Sequence, residues 1–206
     1  QMVPPGDALP GDAHLVILPG TKATIADLAF LREEGWDIDI AAHHRRGGAV
    51  LGICGGYQML GKRIADPHGI EGEAASVSGL GLLDVETVLG GDKTLMQAEA
   101  TDTETGEPVT GFEMHLGRTT GADTARPMLR LTSGASAVGG VGGAVSADAR
   151  VRGCYLHGLF AADRFRHAFL ARLGRRGVSG IAYATEIDRV LDRLAGHLED
   201  TIDLDR

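Results

Sequence analysis

The segment at 49–61, AVLGICGGYQMLG, constrains the fold of this chain more than any other part of the sequence. A short apolar run ends at Cys54, two glycines follow, and helix-forming residues come directly after them. Such a run is typical of a strand buried on both faces, as in a parallel sheet. A sharp turn from strand to helix needs small neighbours, which Gly52, Gly55 and Gly56 supply. The segment therefore predicts a strand, a tight turn at Cys54 and a helix.

This pattern is that of a nucleophile elbow in which cysteine replaces serine. A thiol beside a helix N-terminus is favoured as thiolate by the helix dipole and by free N–H groups. The N–H of Gly55 is then available to stabilise an oxyanion. The competing interpretation is a buried structural cysteine beside an ordinary glycine turn, and the isolated motif does not separate the two.

A histidine about a hundred residues after Cys54 completes the predicted chemistry. His157 follows the strand-like run at 151–156. A cysteine nucleophile needs a general base that is adjacent in space rather than in sequence, and a strand end of an α/β sheet suits it. A structural histidine is the alternative. The turn at Gly20, after the apolar run at 14–18, offers further backbone N–H groups for an oxyanion hole.

The remaining pattern predicts a strand–helix alternation at the N-terminus, which favours a parallel α/β sheet. An antiparallel or mixed extension is expected between residues 80 and 156, followed by two helices. The expected strands are 14–18, 49–53, 82–88, 94–101, 109–116 and 150–156, and the expected helices are 24–34, 37–46, 57–64, one after Asp163 and one after Thr185.

Capping patterns locate three helix starts. Thr24 with Asp27 approaches a capping box, Asp163 is a candidate cap, and Thr185 caps the last helix. That last helix carries an apolar stripe at Ile187, Leu191, Leu194 and Leu198. The Gly/Ser/Ala-rich segment at 133–143 indicates an exposed loop or hairpin tip.

Composition and charge exclude several function classes. The length of 206 residues suits one domain with a real core. A net charge of −8 leaves no basic surface for nucleic acid, and no apolar run approaches the roughly 18 residues of a membrane span. Two cysteines and no signal-peptide pattern favour the cytoplasm. Neither the cysteines nor the histidines have metal-ligand spacing, so no metal site is expected.

Four segments together resemble the class I, triad-type glutamine amidotransferase domain, and more narrowly the glutaminase domain of cobyric acid synthase. They are LPGTKATIADL at 18–28, GICGGYQMLG at 52–61, GFEMHLGRT at 111–119 and YLHGLF at 155–160. The second and fourth are shared with the sister family that makes cobyrinate a,c-diamide, whereas the first and third favour cobyric acid synthase. The resemblance implies a flavodoxin-like α/β fold. Its mixed, mostly parallel sheet is flanked by helices and carries the nucleophile elbow at Cys54.

The resemblance also implies roles for individual residues. Cys54 attacks the side-chain amide of glutamine and forms a γ-glutamyl thioester, and His157 protonates the departing ammonia and later activates water. Backbone N–H groups of Gly55 and of the Gly20 turn stabilise the oxyanion. Gln58 helps to hold the substrate glutamine, although without the resemblance it would be taken for a helix surface residue.

One position departs from the wider class. Most class I glutaminases have a glutamate two residues after the histidine, where this chain has Leu159. The cobyric acid and cobyrinate families lack that glutamate, so its absence fits them. A backbone carbonyl or a water is then expected to orient His157. We expect full activity to depend on the synthetase partner.

Strand alternation separates the neighbours of these motifs. In a strand at 109–116, Phe112 and Met114 face one way while Glu113 and His115 face the other, which predicts an ordinary solvent face for the latter pair. The resemblance adds a role for them at the synthetase interface or the ammonia path. Cys154 is expected to be structural, because alternation turns it away from His157.

The chain is expected to be a single amidotransferase domain, 1–206, that lacks the first strand of its sheet. No Gly-x4-Gly-Lys-Ser/Thr phosphate loop occurs. ATP and magnesium are therefore assigned to an N-terminal synthetase domain of the same polypeptide, outside this chain, and no cofactor is expected here.

The expected reaction is hydrolysis of glutamine to glutamate and ammonia. The ammonia would serve the amidation of a corrinoid, adenosylcobyrinic acid a,c-diamide, to adenosylcobyric acid in cobalamin biosynthesis. The alternatives are cobyrinate a,c-diamide synthesis, amidation of a cell-wall lipid precursor, a non-catalytic interface module, and a cysteine hydrolase or peptidase.

Overall fold

The computed structural model describes residues 1–91, 94–133, 140–174 and 182–202. The helices in these ranges are α1 (Thr24–Glu33), α2 (Trp36–Arg45), α3 (Gly55–Leu60), α4 (Asp163–Arg172) and α5 (Tyr183–Thr201). The strands are β1 (Leu15–Leu18), β2 (Ala49–Ile53), β3 (Arg63–Asp66), β4 (Ala75–Ser78), β5 (Glu86–Val88), β6 (Thr94–Asp102), β7 (Pro108–His115), β8 (Arg118–Thr120), β9 (Leu129–Ser133), β10 (Val141–Gly142), β11 (Ala144–Val145), β12 (Val151–Cys154) and β13 (Leu156–His157).

The sheet that carries Cys54 has the order β1-β2-β12-β11. Strands β1, β2 and β12 are parallel, and β11 pairs antiparallel with β12. The expectation of a mixed, mostly parallel sheet is therefore confirmed for this part of the chain. Strand β1 lies at one edge among the described residues, and a further strand beyond it stays a prediction.

Helices cover both faces of this sheet, as the fold class requires. On one face, Leu28 of α1, Ile40 of α2 and Tyr57 of α3 pack in one core with Val16 and Val50. On the other face, two phenylalanines of α4 pack in a second core that contains Leu51 and Leu156. Those phenylalanines are Phe165 and Phe169. Val16 and Val50 thus face the first core while Leu15 and Leu51 face the second, which accounts for the apolar sequence of both strands, although Ile17 is exposed.

Two further sheets contain the extension expected after residue 80, together with β3 and β4, which precede that residue and were not predicted. One is antiparallel, in the order β10-β9-β6-β7-β13, and the other has the order β4-β3-β5-β8 with a single parallel pairing between β3 and β5. The expected strand 150–156 divides at Tyr155, so that β12 stays in the first sheet while β13 joins the antiparallel sheet beside β7. The hairpin of β9 and β10 flanks residues 134–139, which lie outside the described part of the predicted 133–143 loop.

The predicted helix 57–64 was wrong at both ends. Helix α3 begins at Gly55 and ends at Leu60, and the chain then turns into β3. Gly61 is extended because its backbone runs against the neighbouring segment, where an added Cβ would stand 2.7 Å from the carbonyl oxygen of Val85. The N–H of Lys62 donates to that same oxygen at 2.7 Å. Contact with a distant segment thus overrides local helix propensity.

The capping patterns were also wrong in detail. Helix α1 does begin at Thr24, but it has no side-chain cap, and Asp27 accepts from the Thr21 hydroxyl instead. Helices α4 and α5 likewise have no side-chain cap, and α5 begins at Tyr183 rather than after Thr185. The candidate cap Asp163 is the first residue of α4, and it accepts from the Tyr183 N–H at 3.0 Å.

A buried ion-pair cluster ties the first sheet to the antiparallel one. Arg152 of β12 is buried and pairs with Asp102, at the end of β6, and with Glu104 at 2.6 Å. Glu104 also pairs with Arg172 of α4. Because Asp102 is fully buried, removing it would leave the Arg152 charge without its most deeply buried partner.

We expect Asp102→Ala to lower the free energy of unfolding by about 3 kcal/mol, the low end of the cost of breaking a buried ion pair, since Glu104 still compensates part of the Arg152 charge. Urea titration followed by circular dichroism measures it. The matched control is Asp84→Ala, which removes an exposed partner of Lys62 and should cost no more than about 1 kcal/mol. Equal losses from the two substitutions would contradict the structural role of the cluster.

Candidate active site

The backbone of Cys54 has the strained geometry expected of the turn. Its φ of 54° and ψ of −113° lie in a sparsely populated region, and it directly precedes α3. Two hydrogen bonds hold it there: the Cys54 N–H donates to the Cys154 carbonyl at 2.9 Å, and the Gln58 N–H donates to the Cys54 carbonyl at 3.1 Å. Such strain persists only where the surroundings enforce it.

The glycines around Cys54 are required by close approach. A Cβ on Gly56 would overlap the carbonyl oxygen of Leu18, at the end of β1. A Cβ on Gly52 would stand 2.7 Å from the carbonyl carbon of Gly56. Strand β1 and the start of α3 therefore touch backbone to backbone, which fixes the turn after β1 against the turn after β2.

His157 reaches the site from the second sheet. His157 in β13 pairs with Phe112 in β7. The His157 ring stacks on the Phe112 ring, with centroids 4.9 Å apart and planes 4° from parallel. A Cβ on Gly111 would overlap the His157 carbonyl oxygen, so a glycine is needed beside it. The buried Nε2 of His157 has no hydrogen-bond partner among the described residues.

The Gly20 turn brings Cys54 and His157 together. A Cβ on Gly20 would lie 3.1 Å from His157 Cε1 and 3.4 Å from Cys54 Cβ. Gly55 lies beside the same turn, because its added Cβ would be 3.2 Å from the Thr21 nitrogen. The thiol itself donates to the Met114 carbonyl at 3.2 Å. The structure therefore gathers the predicted nucleophile, base and both oxyanion residues around one turn.

Gln58 lies beside this group but is not a surface residue. It is 3% exposed, its Oε1 accepts from the Thr24 hydroxyl at 3.1 Å, and its Nε2 donates to the Leu116 carbonyl at 3.2 Å and to the Tyr155 hydroxyl at 3.3 Å. These contacts join α3 to α1, to the end of β7 and to the link between β12 and β13. Substrate contact by Gln58 stays a prediction.

Glu71 is a neighbour of the site that the sequence pattern did not reveal. Its carboxylate accepts from the Thr24 N–H at 2.5 Å and from the Thr24 hydroxyl at 3.1 Å, at the first turn of α1. Buried Asp66 holds the loop by accepting from the Ile70 and Glu71 N–H groups, both at 2.9 Å. These backbone hydrogen bonds lower the Asp66 pKa. No periodicity marks such a loop, so only the fold reveals the contact.

The predicted solvent face of Glu113 and His115 was wrong. Glu113 is 2% exposed, whereas Phe112 on the opposite face is 39% exposed. This side of β7 lies against residues 154 and 155, so the polar side of the alternation faces inward. The His115 ring stacks on Tyr155 at 3.9 Å, and burial lowers the His115 pKa while Glu113 opposes that effect. A role for this pair in an interface or an ammonia path stays a prediction.

Cys154 has a different environment from Cys54. It lies in the core shared by α4 and the antiparallel sheet, with no exposed surface. Burial raises the pKa of its thiol to about 12, and nearby Glu113 acts in the same direction. At neutral pH this cysteine is a protonated apolar side chain, as predicted for a structural residue.

The described ranges of the chain lack metal-binding clusters and membrane-crossing helices. They contain no group of three or more His, Cys, Asp or Glu side chains arranged to hold a metal ion. None of their helices is both long and apolar enough to cross a membrane.

Comparisons with known proteins place these features in a family. Residues 1–165 match the CobB/CobQ-like glutamine amidotransferase domain. The chain is 56% identical over 205 residues to the cobyric acid synthase of Ruegeria sp. (strain TM1040), covering 100% of this chain and 41% of that protein. It is 59% identical over 203 residues to that of Rhodobacter capsulatus, covering 98% and 41%. The chain thus spans about two fifths of the length of these curated relatives.

Solved structures support the same fold. PurLQS from Thermotoga maritima aligns with a TM-score of 0.59 at 21% identity, over 81% of this chain and 82% of that one. A second structure, described as a glutamine amidotransferase, aligns with a TM-score of 0.54 at 18% identity over 78% of each chain. The predicted α/β amidotransferase fold is therefore confirmed.

The two thiols should differ in reactivity. We expect iodoacetamide at pH 8 to modify Cys54 at least tenfold faster than Cys154, because the attacking species is the thiolate and Cys154 has a pKa of about 12. Peptide mass mapping of the native protein measures this, and the native Cys54→Ser variant should remain unmodified. In urea both cysteines should react. Equal labelling of the native thiols would contradict the buried position of Cys154.

Proposed function

The chain belongs to the CobB/CobQ-like glutamine amidotransferase domain family, and we propose that it hydrolyses glutamine to glutamate and ammonia at Cys54 and His157. The observation that carries this proposal is their convergence on Gly20, where both side chains lie within 3.4 Å of one point. This proximity of two groups from different sheets supports their assignment as a nucleophile and its base, which must be adjacent in space.

In the first step, the Cys54 sulfur attacks the side-chain amide carbon of glutamine. The thiol proton passes to Nε2 of His157, which has no hydrogen-bond partner within the described ranges, and His157 then delivers the proton to the departing ammonia. Backbone N–H groups of Gly55 and of the Gly20 turn stabilise the oxyanion. The products of this step are free ammonia and a γ-glutamyl thioester on Cys54.

In the second step, water completes the cycle. His157 takes a proton from the water as it attacks the thioester carbonyl, and the same oxyanion donors serve again. The proton returns to the Cys54 sulfur as the C–S bond breaks, which releases glutamate. One glutamine and one water thus give one glutamate and one ammonia.

Phe112 and strand pairing are proposed to orient His157 in place of the glutamate found in most of the class. Leu159, at the corresponding position, is buried in an apolar core and offers no hydrogen bond from its side chain. The parallel stack on Phe112 instead fixes the plane of the imidazole. The pairing of β13 with β7 fixes the backbone of His157 beside Phe112.

We further propose that the ammonia serves an ATP-dependent amidation of adenosylcobyrinic acid a,c-diamide to adenosylcobyric acid. The support is the name of the relatives, cobyric acid synthase, at 56–59% identity over nearly all of this chain. ATP and magnesium would then act in the N-terminal region of the same polypeptide. The corrinoid would bind there also, while glutamine binds at Cys54. The same names disfavour cobyrinate a,c-diamide synthesis and lipid-precursor amidation.

The glutamine analogue 6-diazo-5-oxo-norleucine tests the catalytic assignment. We expect one covalent adduct per chain, on Cys54, together with loss of ammonia release from glutamine. Mass spectrometry of the full-length polypeptide locates the adduct. Cys54→Ser should abolish the adduct and reduce glutaminase kcat by a factor of about a thousand or more. Cys154→Ala should retain the adduct. An adduct that is absent, or unchanged in Cys54→Ser, would favour a non-catalytic module.

The stack on His157 gives a second test. We expect Phe112→Leu to lower glutaminase kcat by about three- to tenfold, because a ring stack contributes about 0.5–1.5 kcal/mol. KM should remain within about twofold, since Phe112 orients the base rather than the substrate. Phe112→Tyr, which keeps the ring, should restore kcat. An equal loss in the Tyr variant would contradict the stacking role.

A further inference from the structure

The apolar face of helix α5 has no partner in the described part of the chain. The helix has 19 residues and none of them is buried. Six large side chains recur at helical spacing along one face, and each is between 41 and 54% exposed. They are Tyr183, Ile187, Val190, Leu191, Leu194 and Leu198.

An apolar stripe of this length has an unfavourable free energy when it is exposed to water. The helix is about 28 Å long, and amphipathic helices derive most of their stability from burying the apolar face. Large continuous apolar patches on soluble proteins mark interaction sites. The base of α5 is anchored, since the Tyr183 N–H donates to Asp163 at 3.0 Å. The helix therefore leaves the domain from a fixed point with its apolar face open.

The comparisons indicate what covers this face. The match to the amidotransferase domain ends at residue 165, before α5 begins. The cobyric acid synthase relatives, in contrast, match 98–100% of the chain and so include α5. In those proteins the matched part is only 41% of the length. Helix α5 thus accompanies the longer polypeptide rather than the shared amidotransferase domain.

We propose that the apolar face of α5 docks onto the N-terminal region of the same polypeptide. This inference rests on the two-region organisation proposed above and does not depend on the reaction. A tethered partner is present at an effective concentration of about millimolar, so a single helix face suffices to hold it.

The charges on α5 disfavour other occupants. Its polar face carries five acidic residues and two arginines, so it is net acidic. The acidic residues are Glu186, Asp188, Asp192, Glu199 and Asp200. Helices that lie on membranes are instead rich in Lys and Arg on the polar face, because they bind anionic lipids. Pairing with a second copy would bring acidic flanks together without the advantage of a tether.

Hydrogen bonds also connect the base of α5 to the segment that follows His157. Asp163, which receives the Tyr183 N–H, also accepts from the Arg166 guanidinium at 2.6 Å. The same guanidinium donates to the Phe160 carbonyl at 2.6 Å. Phe160 follows His157 by three residues. The base of α5 is thus connected to the segment that leaves the predicted general base.

Photo-crosslinking in the full-length polypeptide tests the occupant. p-Benzoylphenylalanine at position 191, on the apolar face, should form crosslinks to peptides of the N-terminal region. The same group at position 185, on the polar face, should give at least tenfold fewer of them. Crosslinks from position 191 to a second copy, or only to residues 1–174, would overturn the proposal, as would their absence.

Matched charge insertions on opposite faces provide the second measurement. Leu191→Glu with Leu194→Glu adds two negative charges to the apolar face, and Thr185→Glu with Gly196→Glu adds the same charge to the polar face. In the full-length polypeptide, hydrogen exchange of α5 amides should accelerate at least tenfold in the first pair and stay within about twofold in the second. Equal acceleration in both pairs would show that the face is not docked.

These measurements are independent of turnover. If Cys54 proved to be non-catalytic, the crosslinks and the exchange rates would be unaffected. If α5 proved to be free, adduct formation at Cys54 would still report on the catalytic assignment. The failure of one proposal is therefore distinguishable from the failure of the other.

Discussion

The architecture of the site depends on places where two backbones approach too closely for a side chain to stand between them. Gly56 lies against the Leu18 carbonyl, and Gly111 lies against the His157 carbonyl. The first contact fixes the Gly20 turn against Cys54, and the second fixes β13 against β7. Because both contacts involve backbone atoms, they hold the predicted nucleophile and base in position whatever the side chains themselves contact.

Because the strand divides at Tyr155, Cys54 and His157 are held by two different sheets. Strand β12 keeps the end of β2 in register through the pairing of Cys154 with Ile53, while β13 places His157 in the antiparallel sheet. The buried pairing of Arg152 with Asp102 links these sheets on the same strand. The strained turn at Cys54 and the stacked ring of His157 are therefore properties of two sheets locked together, and neither is maintained by its own loop alone.

The local sequence pattern was sufficient to predict the features that depend on residues close together in the chain. The strand at 49–53, the turn at Cys54 and the start of α1 at Thr24 all follow from apolar runs and glycine placement. The features that could not be predicted arise from distant contacts. Gly61 ends α3 because Val85 lies against it, and Glu113 is buried because its face of β7 packs against the segment at 154–155. An alternation pattern identifies two faces of a strand, but only the segments packed against the sheet decide which face is inside.

The interlocked glycines also bear on how such a domain changes over evolutionary time. At Gly52, Gly56 and Gly111 even a single methyl group meets a backbone atom, so these positions offer no path of small, tolerated steps. We expect sequence drift instead at the rim, such as the exposed polar face of helix α5. New specificity or new partners are accessible there without disturbing the reaction centre. The constraint on these glycines thus confines tolerated substitutions to positions away from the reaction centre.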